Sequence, residues 1–66
     1  MTQLFELPKG VKIRVLEPVR TPIGGKPIHK GDILTFDHVD GMYSYCIDAD
    51  GDVVHPAAWT EAEVVQ

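Results

Sequence analysis

Ile33-Leu34-Thr35-Phe36-Asp37-His38-Val39, then Asp40-Gly41, then Met42-Tyr43-Ser44-Tyr45-Cys46-Ile47, is the stretch that decides the fold. Two runs of strand length, rich in β-branched and aromatic residues, flank an Asp-Gly pair that favours the positive φ of a tight hairpin turn. Leu34 and Phe36 are expected to face inward. Alternation puts Tyr43 and Tyr45 on one face and Met42, Ser44 and Cys46 on the other, and leaves open which face is buried. Working toward the C-terminus, Asp48 to Asp52 contains a second Asp-Gly turn. Val53 to His55 is a short strand stopped by Pro56. Pro56-Ala57-Ala58-Trp59 suits one 3₁₀ turn, and Thr60 to Val65 closes the chain with Ala62 alternating against Glu61 and Glu63. Toward the N-terminus, Glu17 to Gly31 holds three prolines and three glycines, which forbids a helix and predicts a long irregular loop. Before it, Val11, Ile13 and Val15 alternate with Lys12 and Arg14 as a half-buried strand, and residues 1–10 form a lead-in.

Five short strands with tight turns predict an all-β chain, and closure would spare it unpaired strand edges. The whole chain, 1–66, is expected to be one domain. Sixty-six residues bury about 60% of the surface of the unfolded chain, so the core is thin. Hydrophobic residues make up 44% and charged residues 24%, which is ordinary globular usage rather than disorder. No apolar run reaches the ~18 residues of a membrane span, and the N-terminus lacks the layout of a secretory signal. A cytoplasmic protein is the expectation. A single cysteine excludes a disulfide within the chain and a zinc ribbon built on paired cysteines.

All six Lys and Arg residues lie between Lys9 and Lys30, opposed there only by Glu6 and Glu17, whereas Gly31 onward carries eight acids and no Lys or Arg. The interleaving of strands in so small a domain brings the two parts together. A net charge of −4 argues against nucleic acid as partner, since phosphate binding needs clustered cations. Lys12 and Arg14 are expected to face Glu61 and Glu63 where first and last strands pair.

The order of short motifs resembles Src-homology-3 domains over Lys30 to Val65. Lys30-Gly31-Asp32-Ile33-Leu34-Thr35 is similar to the family's K-G-D-x-L segment. Asp40-Gly41-Met42-Tyr43 sits where the family has a short loop and two tryptophans. Pro56-Ala57-Ala58-Trp59 is similar to its P-x-x-Y motif. The resemblance implies a five-stranded barrel of that family's type, with a long first loop and one 3₁₀ turn before the last strand. The tyrosine-bearing A-L-Y-D-Y motif would fall at Val15-Leu16-Glu17-Pro18-Val19, which has no aromatic residue, and the acids of the family's first loop are replaced by Arg20 and Lys26. The resemblance therefore carries only Pro56, Trp59 and Met42 onto a ligand groove. The first and last strands also look like those of small barrel subunits that dock on larger complexes, and stand-alone phage proteins acting on host proteins use such barrels.

Asp48-Ala49-Asp50-Gly51-Asp52 alternates carboxylates, but a calcium loop needs glycine at its sixth position and a bidentate acid at its twelfth. Here glycine is fourth and Trp59 twelfth, so a solvated hairpin turn is expected. His29, His38, His55 and Cys46 match no zinc spacing. If buried and neutral, His55 would lose stability on acidification. Cys46, mid-strand among aromatic and acidic neighbours, reads as a packed core residue rather than a nucleophile. No metal, cofactor or catalytic set is predicted. The expected function is a non-enzymatic protein-binding module. Its contact surface joins Trp59, Pro56 and Met42 to the apolar Val19, Ile23 and Ile28 of the loop, with Arg20 and Lys26 at the rim. The alternative is an oligomer that builds an enzyme or accessory subunit across its interface.

Overall fold

The computed structural model describes residues 2–19 and 26–65. Six strands form one antiparallel sheet: β1 (Thr2–Gln3), β2 (Lys12–Val15), β3 (Ile33–Asp40), β4 (Tyr43–Ile47), β5 (Val53–Val54) and β6 (Glu61–Val64). Their order across the sheet is β1-β6-β2-β3-β4-β5, so β1 and β5 are its edges. The all-β expectation holds, and the five-stranded closed barrel does not. A sixth strand at the N-terminus pairs Thr2 with Ala62 and Gln3 with Glu61, and the sheet is open. Among the described residues no helix is long and apolar enough to cross a membrane.

The longer strands form because their alternation gives each one face to bury. In β2, Ile13 and Val15 are buried while Lys12 and Arg14 face water. In β3, Leu34 and Phe36 face the core as expected. Between Phe36 and His38 the β3–β4 register slips by a bulge at Asp37, which turns His38 to the outside, opposite Tyr45. In β4 the buried set is Ser44 and Cys46, so the tyrosines lie on the outer face. Gly41 and Gly51 both have positive φ, as their Asp-Gly turns require.

The core joins Leu4, Ile13, Val15, Ile28, Leu34, Phe36, Cys46, Val54 and Ala62. Two of these residues come from segments that are not strands. Leu4 belongs to a 3₁₀ turn, Leu4–Glu6, closed by the Leu7 amide donating to the Leu4 carbonyl at 3.1 Å. Ile28, expected as an exposed contact of the loop, is only 4% exposed and fills the core instead.

The turn expected at Pro56–Trp59 forms one residue later, as a single i→i+3 turn over Ala57–Thr60, and no 3₁₀ helix is built there. Those residues are held from both sides by longer-range hydrogen bonds. The amide of Ser44 donates to the Pro56 carbonyl at 2.8 Å, and the amide of Ala58 donates to the Met42 carbonyl at 3.0 Å. On the other side, the Leu4 amide donates to the Thr60 carbonyl at 3.2 Å and the Phe5 amide to the Ala58 carbonyl at 3.1 Å. The segment thus bridges β4 to the N-terminal turn, and a single turn closed by the Thr60 amide on the Ala57 carbonyl leads into β6.

Candidate functional site

The bridging segment sets the position of the one tryptophan. Ala57, Ala58 and Thr60 are buried by their contacts on either side, which leaves the residue between them to project outward. Trp59 is 52% exposed and Met42, just before β4, is 67% exposed. Between them lies a groove of about 530 Å³ lined by Glu17, Pro18, Val19, Met42, Ala57, Trp59 and Thr60. Its walls come from three distant segments, the start of the long loop, the β3–β4 turn and the bridging segment.

Three of the sequence-predicted contacts, Trp59, Met42 and Val19, meet in this groove. Pro56 does not. It is fully buried, and its carbonyl accepts both the Ser44 amide and, at 2.9 Å, the Ser44 hydroxyl. Pro56 fixes the strand beneath the groove and offers no surface to a ligand. Arg20 and Ile23 lie outside the described residues. The groove adds Ala57 and Thr60, which were not expected, and Glu17 and Pro18, expected only as the start of the Pro/Gly-rich loop 17–31, where they fall on the stretch aligned with the missing aromatic motif.

Lys26 is at a different place. Its ammonium lies 2.7 Å from Asp48 Oδ2, 2.9 Å from Asp50 Oδ2 and 3.1 Å from Asp52 Oδ2. These three carboxylates can each offer an oxygen within 4.8 Å of the others, and the lysine occupies that space. The carboxylate of Asp48 leads in holding Lys26 well above the ordinary lysine range, followed by Asp50 and Asp52. Lys26 in turn holds Asp48 below the ordinary carboxylate range, helped by the amides of Asp52 and Asp50, which donate to Asp48 Oδ1. Beside this cluster a smaller cavity of about 300 Å³ runs from Lys26 and Pro27 over Ile28, Leu34 and Val54 to His29 and Asp32.

The outer face of β3 and β4 carries an aromatic ladder. His38 stacks on Tyr45 with centroids 4.5 Å apart, and His55 meets Tyr45 edge-on at 4.7 Å and Tyr43 at 5.5 Å. Tyr45 pushes the Tyr43 phenol above its ordinary value. His55 is half-buried, with Nδ1 at 3.2 Å from the Ser44 carbonyl. Asp37, at the bulge, is held below the ordinary carboxylate range by Lys9.

Cys46 is wholly buried, and burial pushes its thiol up. Its side-chain neighbour is the Ser44 hydroxyl at 3.6 Å, which is no base.

Compared with known proteins, the chain matches no family model, no curated protein and no solved structure.

Proposed function

We propose that the chain is a non-enzymatic binding module whose Trp59 groove receives a segment of another protein. One observation carries this reading: a half-exposed tryptophan and a largely exposed methionine flank a concave surface floored by Val19, Ala57 and Pro18. Large apolar side chains in such a position cost solubility unless a partner covers them, and tryptophan in a desolvated pocket is the commonest anchor of an interface. Trp59 is rigid, and Met42 adapts its shape to what lies against it. Glu17 at the end of the groove supplies one charged group for orientation.

The arrangement also supports the family resemblance. The start of the long loop, the turn after β3 and the segment before the last strand are the three places where Src-homology-3 domains build their peptide groove. Here Pro18 and Val19 stand where that family has tyrosines, so the surface is aliphatic on that side. The occupant is accordingly an apolar segment read by shape and not by stacking on a ladder of aromatic rings.

The test is selection from a random peptide library displayed on phage, with immobilised wild-type chain and Trp59→Ala as parallel baits. Wild type should enrich a consensus that Trp59→Ala loses. An anchor of this kind typically contributes 2 kcal/mol or more, roughly thirtyfold in affinity. The variant must keep the wild-type far-ultraviolet circular dichroism for the comparison to count. Enrichment of the same peptides by both baits would refute the groove as the binding surface. Sedimentation of the free protein separates this reading from an oligomeric accessory subunit, which would travel as a multimer.

A further inference from the structure

The Lys26 cluster shares no residue with the groove, yet the two are linked through Ile28 and its bridge to Val19. We propose that Lys26 is a positioning residue for the groove: its ammonium straps the returning limb of the loop to the Asp48–Asp52 turn and so holds Val19 in the groove wall.

The connection has three links. Val19 forms an isolated antiparallel bridge with Ile28, its amide donating to the Ile28 carbonyl at 3.3 Å. Ile28 is fixed by burial among Leu34, Val54 and their neighbours. Lys26 is separated from Ile28 by Pro27 alone, whose ring fixes φ and confines the preceding lysine to extended backbone. The restricted Lys26-Pro27 dipeptide thus links the charge cluster to the buried anchor whose carbonyl receives the Val19 amide.

The base of the loop is held separately. The Gly31 amide donates to the Val15 carbonyl at 2.8 Å, the Val15 amide to the Asp32 carbonyl at 2.9 Å, and the His29 amide to Asp32 Oδ2 at 2.9 Å. Beyond Ile28, the contact tying the described loop back to the body of the protein is Lys26 with its three aspartates. An ion-pair tie of this kind is strong enough to select one loop position and weak enough to be released by salt, because its members touch solvent. The groove wall is thereby set by a cluster that makes no contact with the groove's occupant.

The proposal takes its functional meaning from the groove reading, but its test needs no partner, so the two can fail separately. Hydrogen exchange of the ¹⁵N-labelled full chain is measured by NMR for wild type, Lys26→Met and Asp50→Asn, at low and high sodium chloride. Acrylamide quenching of Trp59, the only tryptophan, is read alongside. Asp50 is useful because its carboxylate reaches Lys26, whereas the turn itself is held by Asp48. Lys26→Met should speed exchange of the Val19 amide by at least about threefold while Ile13 and Phe36 keep their protection, the pattern of a local opening. Asp50→Asn should give a smaller change in the same direction. High salt should move wild type toward the variant and leave Lys26→Met unmoved. Trp59 should become more accessible to acrylamide in step with Val19. Unchanged Val19 exchange in Lys26→Met would overturn the proposal. So would a uniform rise at Val19, Ile13 and Phe36, which would make Lys26 a general stabiliser and nothing more. If Lys26→Met does not fold, the salt dependence of Val19 in wild type and in Asp50→Asn decides alone.

Discussion

Leu4→Ala should remove a large share of this protein's margin of stability, although Leu4 lies in a segment with no strand pattern. Leu4 is 0% exposed and packs in the same core as Ile13, Leu34 and Cys46. Truncating a fully buried leucine typically costs about 2–5 kcal/mol, as lost transfer energy plus the cavity left behind. A chain of 66 residues at about 0.05–0.15 kcal/mol per residue has roughly 3–10 kcal/mol in total. The substitution therefore removes about a fifth of the stability at the least, and at the upper end all of it. The neighbouring Phe5 gives an internal control, because it is 55% exposed and Phe5→Ala should stay within about 0.5 kcal/mol of wild type. Urea unfolding followed by Trp59 fluorescence measures both, with the slope expected to be common to the three proteins. In a thermal scan each kcal/mol corresponds to about 4–8 °C for a domain of this size. If Leu4→Ala is unfolded at 25 °C, Leu4→Val, short by one methylene, should cost about 1 kcal/mol and keep the comparison measurable. A Leu4→Ala midpoint within 0.5 kcal/mol of wild type, by the same ~0.5 kcal/mol surface yardstick, would refute the reasoning. It would mean that the N-terminal turn is not part of the core and that the sixth strand is dispensable.

Ile28→Ala should cost about 2–5 kcal/mol by urea unfolding, since the side chain is buried with the core; a loss below about 0.5 kcal/mol would return it to the surface. For pH, Asp48 and Asp37 have native pKa values below their unfolded ones, so their contribution is present above the ordinary carboxylate range and is lost as pH falls through the lower native values. Lys26 is raised, so its contribution is present below the ordinary lysine value and is lost as pH rises through the higher native one. Lys26→Met should accordingly remove the alkaline limb of a urea-midpoint-against-pH curve and reduce the Asp48 part of the acid limb, leaving that of Asp37, and limbs identical to wild type would contradict the pairing. Cys46 should react with a disulfide reagent at pH 8 only through opening of the fold, far slower than in urea-unfolded chain; equal rates would place the thiol at the surface.

Five of the six strands were legible because each has a local signal. Alternation at Val11 to Val15 and the Asp-Gly pairs at 40–41 and 51 bracket runs that the structure keeps to within two residues. The strand at Thr2–Gln3 has no such signal: two residues carry no period, and it exists because Leu4 is buried and β6 has a free edge to pair. At Pro56-Ala57-Ala58-Trp59 the local signal gave a turn but not its place: with hydrogen bonds from β4 and the N-terminal turn holding the segment, the turn lies at Ala57–Thr60, and local sequence does not contain those bonds. In the groove, Trp59 and Met42 had been singled out from motif order. Ile28 was misplaced because an isoleucine in a Pro/Gly-rich loop looks exposed, whereas a thin core recruits apolar residues from wherever the chain passes. The partners of Lys26 lie 24 and 26 residues away for Asp50 and Asp52, a distance at which only the charge asymmetry gave warning.

That asymmetry has a structural use. Every described ion pair made by a lysine or arginine joins a cation from the first thirty residues to an acid from the remainder: Lys9 to Asp37, Arg14 to Glu63, Lys26 to Asp48, Asp50 and Asp52. Arg14 meets Glu63 directly across the β2–β6 ladder, as the sequence led one to expect, while Lys12 pairs across to Thr35 and Glu61 to Gln3. Exposed pairs of this kind contribute little stability, about 0–1 kcal/mol each. Within the second half, the β3–β4 and β4–β5 pairings set no acid opposite another acid, because β4, Tyr43–Ile47, carries no charge. The chain carries ten acids against six Lys and Arg, so under the groove reading proposed above its field would favour partners with positive charge beside their apolar anchor.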